Sequence, residues 1–186
     1  MADNQNNAVL RQVMDAAYFA AEKHVMQRRK GMAGEPYVNH LLEVAALVAN
    51  ATEEPDVNAV MAGLLHDCIE DVGVTKAELE GRFGSQVAGI VAEVTDDKTL
   101  KKEERKRLQV ENASKKSASA ALVKLADKVS NLRAMLNSPP ADWSEERRTK
   151  YFAWAKEVVE RLPAPNPRLK AEFDELQRRF SVLGAV

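Results

Sequence analysis

Residues 64–71, Leu-Leu-His-Asp-Cys-Ile-Glu-Asp, put one histidine and three carboxylates inside an apolar helical run. Met61, Leu64, Leu65 and Ile69 belong in a core, yet charged side chains are seldom buried there unless they pair or hold a metal. His66 and Glu70 stand four apart, as do Asp67 and Asp71, so on a continuous helix each pair shares a face. A fold that accepts this segment has to set it where other elements can compensate the charge. A core helix of this ionisable density reads as a site.

The surrounding chain reads as helices. Apolar positions 9, 10, 13, 16, 17, 20 and 21 predict a helix over 5–28, broken afterwards by Gly31, Gly34 and Pro36. Val38 to about Asn50 is a second amphipathic helix, and Asp56 caps a third over 57–71. Thr75-Lys76-Ala77-Glu78 has the form of a capping box for a short helix to Phe83. Gly84 stops that helix, and Ser85 is read as the cap of the next, which runs to Val94. Residues 102–113 predict a highly charged, solvated helix. Residues 120–136, a helix capped by Ser144 and reaching Leu162, and a final helix after Asn166-Pro167 complete the pattern. Aromatic residues are only 5% of the chain, and apolar content carried by Ala, Leu and Val favours packed helices over a sandwich. The expectation is one all-α domain over 1–186, a bundle of about eight to ten helices with at most a short β-hairpin. Its core spans about 8–162 and its C-terminal helix 167–182.

Other classes drop out. A single cysteine, Cys68, leaves no disulfide framework and no cysteine-based zinc cluster. A net charge of −1 gives no global case for nucleic acid. The polar start, Met1 to Asn7, lacks a signal core, and no apolar run has transmembrane length. A soluble, cytoplasmic protein with no membrane partner is expected.

Only His24, His40 and His66 are histidines. His40 falls on the second helix, His66-Asp67 on the third, and Asp127 in the apolar setting of Val123-Lys124-Leu125-Ala126-Asp127. Two imidazoles and two carboxylates from three helices can converge on one ion. A nitrogen and oxygen set without thiolate suits manganese, ferrous iron or zinc. His24, near a helix end, is read as a favourable C-terminal charge or a packing residue.

The ordered segments Arg29-Lys30 to Gly34-Glu35-Pro36-Tyr37-Val38-Asn39-His40, His66-Asp67-x-x-Glu70-Asp71, Thr95-Asp96-Asp97-Lys98-Thr99 and Lys124-Leu125-Ala126-Asp127-Lys128-x-x-Asn131-Leu132 together resemble the HD-domain hydrolases of the RelA/SpoT type. The likeness runs from about residue 15 to Tyr151-Phe152-x-Trp154 and is similar to the stand-alone small alarmone hydrolases. It implies an HD-type bundle that removes the 3′-pyrophosphate of guanosine tetra- and pentaphosphate with one manganese ion. By the resemblance, His40, His66, Asp67 and Asp127 are the metal ligands, and Glu70 and Asp71 the catalytic acidic pair. Arg29, Lys30, Asn131, Arg147 and Tyr151 fall where the family contacts nucleotide. Leu41 departs from the proline that often follows the histidine.

The residues fit such chemistry on their own terms. A divalent ion activates water and polarises phosphoryl oxygens, Glu70 is spaced to take the proton, and Arg29, Lys30, Lys98 and Lys102 can neutralise phosphate charge. Alternatives at this stage are the adenine alarmone as substrate, a phosphomonoesterase acting on deoxynucleotides or NADPH, and a catalytically silent nucleotide sensor. Oligomeric state is open.

Overall fold

The computed structural model describes residues 2–183, which form ten α-helices and one 3-10 turn. In order these are α1 (Ala2–Lys23), α2 (Val38–Ala49), α3 (Val57–Leu65), α4 (Cys68–Val72), α5 (Lys76–Phe83), α6 (Ser85–Val94) and α7 (Lys102–Asn112). The 3-10 turn at Ala113–Lys115 precedes α8 (Ala118–Asn137), α9 (Glu145–Glu160) and α10 (Pro167–Leu183). The all-α expectation holds. Among the described residues the extended pairing is one isolated antiparallel bridge, Arg28 with Pro36, in place of a hairpin.

Several helix starts follow local chemistry. The Asp56 carboxylate accepts from the Asn58 amide at 2.9 Å, Ser144 Oγ from Arg147 at 3.2 Å, and Asn166 Oδ1 from Arg168 and Leu169 at 3.1 Å each. Thr75 Oγ1 accepts from the Glu78 amide, but the Glu78 carboxylate pairs with Lys23, so the expected box is met in part. Three boundaries differ from expectation. α1 stops at Lys23 rather than 28, because the chain must turn back to pair Arg28 with Pro36. Gly84, not Ser85, is the N-cap of α6, and no side chain caps it. The helix expected over 57–71 breaks in two at His66-Asp67.

α3 packs against α1, α2, α6 and α8, and α10 lies along α8. Leu41, Val44, Leu64, Leu65, Leu125 and Val129 are buried between these helices. Leu41, the departure from the family proline, is thus a core residue, and α2 starts at Val38 without a side-chain cap. The loop between α1 and α2 is stapled to the end of α8. Arg29 N–H donates to the Glu35 carbonyl at 2.8 Å and Ala33 N–H to Ser138 Oγ at 3.0 Å. Gly31 lies so close to Ser138 that a Cβ there would sit 2.2 Å from its carbonyl oxygen. The staple therefore requires glycine.

Candidate active site

The break between α3 and α4 has a geometric effect. Successive residues of an unbroken helix point about 100° apart, so His66 and Asp67 would diverge. Asp67 instead has φ −99° and ψ 0°, which lets it act as the N-cap residue of α4. Its Oδ2 comes within 3.1 Å of His66 Nε2 and 3.8 Å of His40 Nε2. From the middle of α8, Asp127 Oδ1 reaches within 3.5 Å of His40 Nε2 and 3.9 Å of His66 Nε2. The structure thus brings His40, His66, Asp67 and Asp127 together. One donor atom each from His40, His66 and Asp67 fits within a span of 4.8 Å.

Each imidazole is held from behind. His66 Nδ1 lies 2.8 Å from the Gly63 carbonyl, which can only accept, so Nδ1 carries the proton. His40 Nδ1 lies 2.8 Å from Ser130 Oγ. Rings of His24, Tyr37, His40 and His66 follow one another at 5.3, 5.4 and 5.1 Å between centroids, and this column fixes the ring planes. The Tyr37 hydroxyl donates to Asp67 Oδ2 at 2.6 Å.

The donor set fits a divalent cation. His66 Nε2 is buried and makes no hydrogen bond although Asp67 Oδ2 is 3.1 Å away; a buried nitrogen left unpartnered beside a carboxylate is what a shared cation would satisfy. Charge tells the same story. Burial opposes protonation of His66, but the Asp67 and Asp127 carboxylates outweigh it and lift the imidazole to about 9. Burial likewise opposes the Asp67 and Asp127 carboxylates, yet His66 beside Asp67 and Lys128 beside Asp127 hold both below the ordinary range. His40, where burial dominates, moves down. Two carboxylates, Asp127 buried and Asp67 half-buried, therefore draw positive charge to this point. Cys68 beside them is pushed up to about 12 by burial and by Asp67, so it offers no thiolate.

Glu70 and Asp71 stand at the edge of this cluster, each with defined partners. Glu70 Oε2 accepts from the Asp96 amide at 3.2 Å and Oε1 lies 3.6 Å from Arg105. Burial and the nearby Asp96 carboxylate raise the Glu70 pKa. Asp71 Oδ2 accepts from Gln27 Nε2 at 2.7 Å, and its Oδ1 is paired with Lys98. Gln27 is held in turn by His24 Nδ1 at 2.5 Å. His24 is thus a buried packing and hydrogen-bonding residue beyond the end of α1.

The cluster opens into a cavity of about 870 Å³, of ligand-binding size. Eleven Lys or Arg side chains line it against seven Asp or Glu, so the cavity is cationic in a chain of net charge −1. Arg29, Lys30, Lys98, Lys102, Asn131, Arg147 and Tyr151 all line it. Arg29 donates to Asn131 Oδ1 at 3.2 Å, and Asn131 Nδ2 to Asp127 Oδ1 at 2.5 Å, which ties the cationic wall to the histidine–aspartate cluster. Tyr151 stands between Trp143 and Trp154, and Arg147 lies 4.2 Å over the Trp143 ring.

One expectation is overturned. α7 is not simply a solvated face: Lys102, Arg105, Lys106 and Gln109 face the cavity. Their spacing of i, i+3, i+4 and i+7 is a helical stripe written in polar residues. Sequence reasoning also passed over Gln27, Tyr37, Glu43 and Ser130. Tyr37 stood in the segment that carries the resemblance without a role of its own, and the only hint for Gln27 was its place three residues from His24.

Residues 16–156 match the HD domain family. The chain is 46% identical over 170 residues to the guanosine-3′,5′-bis(diphosphate) 3′-pyrophosphohydrolase MESH1 of Drosophila melanogaster, covering 91% of this chain and 95% of that one. To the Homo sapiens protein of the same name it is 48% identical over 165 residues, covering 89% and 92%. A solved structure described as a metazoan ortholog of SpoT that hydrolyzes ppGpp and plays a role in starvation responses superposes with a TM-score of 0.87. It shares 46% identity, over 90% of this chain and 94% of that one. Among the described residues no helix is long and apolar enough to cross a membrane.

Proposed function

The chain belongs to the HD domain family, and on that premise we propose that it hydrolyses the 3′-pyrophosphate of (p)ppGpp-type alarmones, releasing GDP or GTP and pyrophosphate. The observation that carries this reading is the convergence of His40, His66, Asp67 and Asp127 at the wall of a cavity rich in cations. These four residues would hold one divalent ion, manganese in our reading, with ferrous iron or zinc suited to the same donors. When bound, such an ion supplies Lewis-acid polarisation of a phosphoryl oxygen and a water of lowered pKa.

The chain's own groups do the rest. Glu70, with its pKa raised by burial and Asp96, is basic enough to take a proton from the attacking water. The new bond forms to the phosphorus carried on the ribose 3′-oxygen. That ester bond breaks, and the 3′-oxygen receives a proton as intact pyrophosphate leaves. Both Asp71 oxygens are engaged, so Asp71 serves first to aim Lys98 at the phosphates. Arg29 and Lys30 clamp a group of several negative charges more strongly than a monophosphate. Lys102 and Arg147 extend that wall, and Asn131 and Tyr151 contact the nucleoside. Packing of α10 on α8 supports one HD-type unit across the chain. The partner is a small nucleotide and not a nucleic acid.

Product analysis tests the reading. With ppGpp and Mn²⁺, GDP and pyrophosphate are expected as the first products, with parallel incubations of ppApp and NADPH ranking the base and the reaction class. Orthophosphate as first product, or a nucleotide retaining a 3′-phosphate, overturns it.

A further inference from the structure

His40 is oriented by two side chains outside the proposed ligand set. Ser130 lies one helical turn beyond Asp127 on α8, fully buried, and Glu43 one turn beyond His40 on α2. A helical serine usually returns its hydroxyl to a carbonyl of its own helix. Here Ser130 Oγ–H instead donates across the helix interface to Glu43 Oε2 at 2.6 Å. Glu43 is ion-paired with Arg133 through Oε1 at 2.7 Å, so it is a carboxylate that can only accept. Arg133 also pairs with Glu172 of α10, and these contacts hold Glu43 in place.

The proton count then assigns the tautomer. A serine hydroxyl has one hydrogen, and it is committed to Glu43. The 2.8 Å contact between Ser130 Oγ and His40 Nδ1 must therefore be donated by His40 Nδ1–H. That leaves the Nε2 lone pair facing Asp67 and Asp127, in a ring too buried to reorient freely. We infer that Ser130 and Glu43 are positioning residues which lock His40 as its Nδ1–H tautomer and thereby set how tightly the divalent ion is held. The inference rests on the metal reading above. Its chemistry is that of a carboxylate acting through a hydroxyl on a ligand histidine, where loss of the supporting group weakens metal affinity by about 10- to 100-fold.

Calorimetric titration of the metal-stripped, full-length chain with Mn²⁺ alone tests it, beside the unfolding midpoint of each ion-free variant. Ser130→Ala should weaken binding by about 10- to 100-fold. Ser130→Thr, which keeps the hydroxyl, should restore most of the affinity, and Glu43→Gln, which keeps an acceptor without its charge, should fall between. In the wild-type protein, nitrogen chemical shifts should show His40 protonated at Nδ1, a readout that needs no variant. Ser130→Ala binding within twofold of wild type, or a His40 protonated only at Nε2, overturns the inference. His66→Ala separates the two readings. If wild type binds one ion and His66→Ala loses it while Ser130→Ala does not, the positioning role alone fails. If wild type binds none, the metal reading fails and takes this inference with it.

Discussion

Gly31→Ala should cripple turnover while leaving the proposed ion site untouched. A Cβ at residue 31 would lie 2.2 Å from the Ser138 carbonyl oxygen and 2.8 Å from its hydroxyl, whereas real Cβ contacts essentially never fall under 3.0 Å. Reaching 3.0 Å requires a shift of 3.0 − 2.2, about 0.8 Å, and an ordinary 3.4 Å contact requires about 1.2 Å. Ser138 ends α8, a helix anchored in the core, so the loop is the partner that moves. Arg29 and Lys30 immediately precede the clash and move with it. A misplacement of about 1 Å in a positioning group costs on the order of 10²-fold in rate, so kcat/KM for ppGpp should fall by about that factor. Gly34→Ala is the matched control. It has nothing within 4 Å and differs only in a φ of +58°, a strain of about 1–2 kcal/mol that leaves the staple in place. Steady-state kinetics with Mn²⁺ should show a loss for Gly34→Ala of a few-fold at most, and Mn²⁺ titration should give wild-type affinity for both. Wild-type kinetics in Gly31→Ala, or a larger loss in Gly34→Ala, would refute the steric argument.

Glu70→Gln should retain Mn²⁺ and nucleotide affinity while kcat drops by roughly 10²-fold or more; calorimetry showing lost ion binding would move Glu70 into the ligand set. Asp127→Ala should release the ion and abolish turnover, checked by elemental analysis of the purified variant, and a fully active, ion-replete variant would contradict the ligand assignment. In the ion-free protein, His66 rises from 6.5 to about 9, so its protonated form stabilises the fold fully below pH 6.5. That contribution is lost as pH climbs through about 9; urea midpoints of chelated protein should fall across this window, and a flat profile would refute the assignment.

The helices were legible in the sequence because their signals are local: Asp56, Ser144 and Asn166 cap the helices they announce. The four clustering residues were legible because ionisable side chains in apolar stretches stand out. The break at His66-Asp67 was not, since no glycine or proline marks it; tertiary demands of the site impose it on a segment with helical period. The role of α7 stayed hidden for a related reason. Charged stripes face water by default, and only the packing of α7 beside α9 turns Arg105 and Lys106 toward a cavity. Ser130 and Glu43 gave no signal at all, because their partnership spans 87 residues.

The HD domain match ends at residue 156, but the packed protein does not. Beyond it, α10 buries Leu169, Phe173 and Leu176 to within 3% of full coverage, stacks Phe180 on Phe152, and bonds Gln177 to the Phe152 carbonyl. At about 1.5–3 kcal/mol for each buried apolar side chain, those three residues alone contribute on the order of 5–9 kcal/mol. The whole net stability of a domain is about 5–15 kcal/mol. A protein cut at residue 156 would therefore hold every residue of the proposed ion site and still be marginally stable. The residues that would do the chemistry and the residues that hold the fold together therefore occupy different lengths of this chain, and mutations in α10 can silence turnover without touching the proposed ion site.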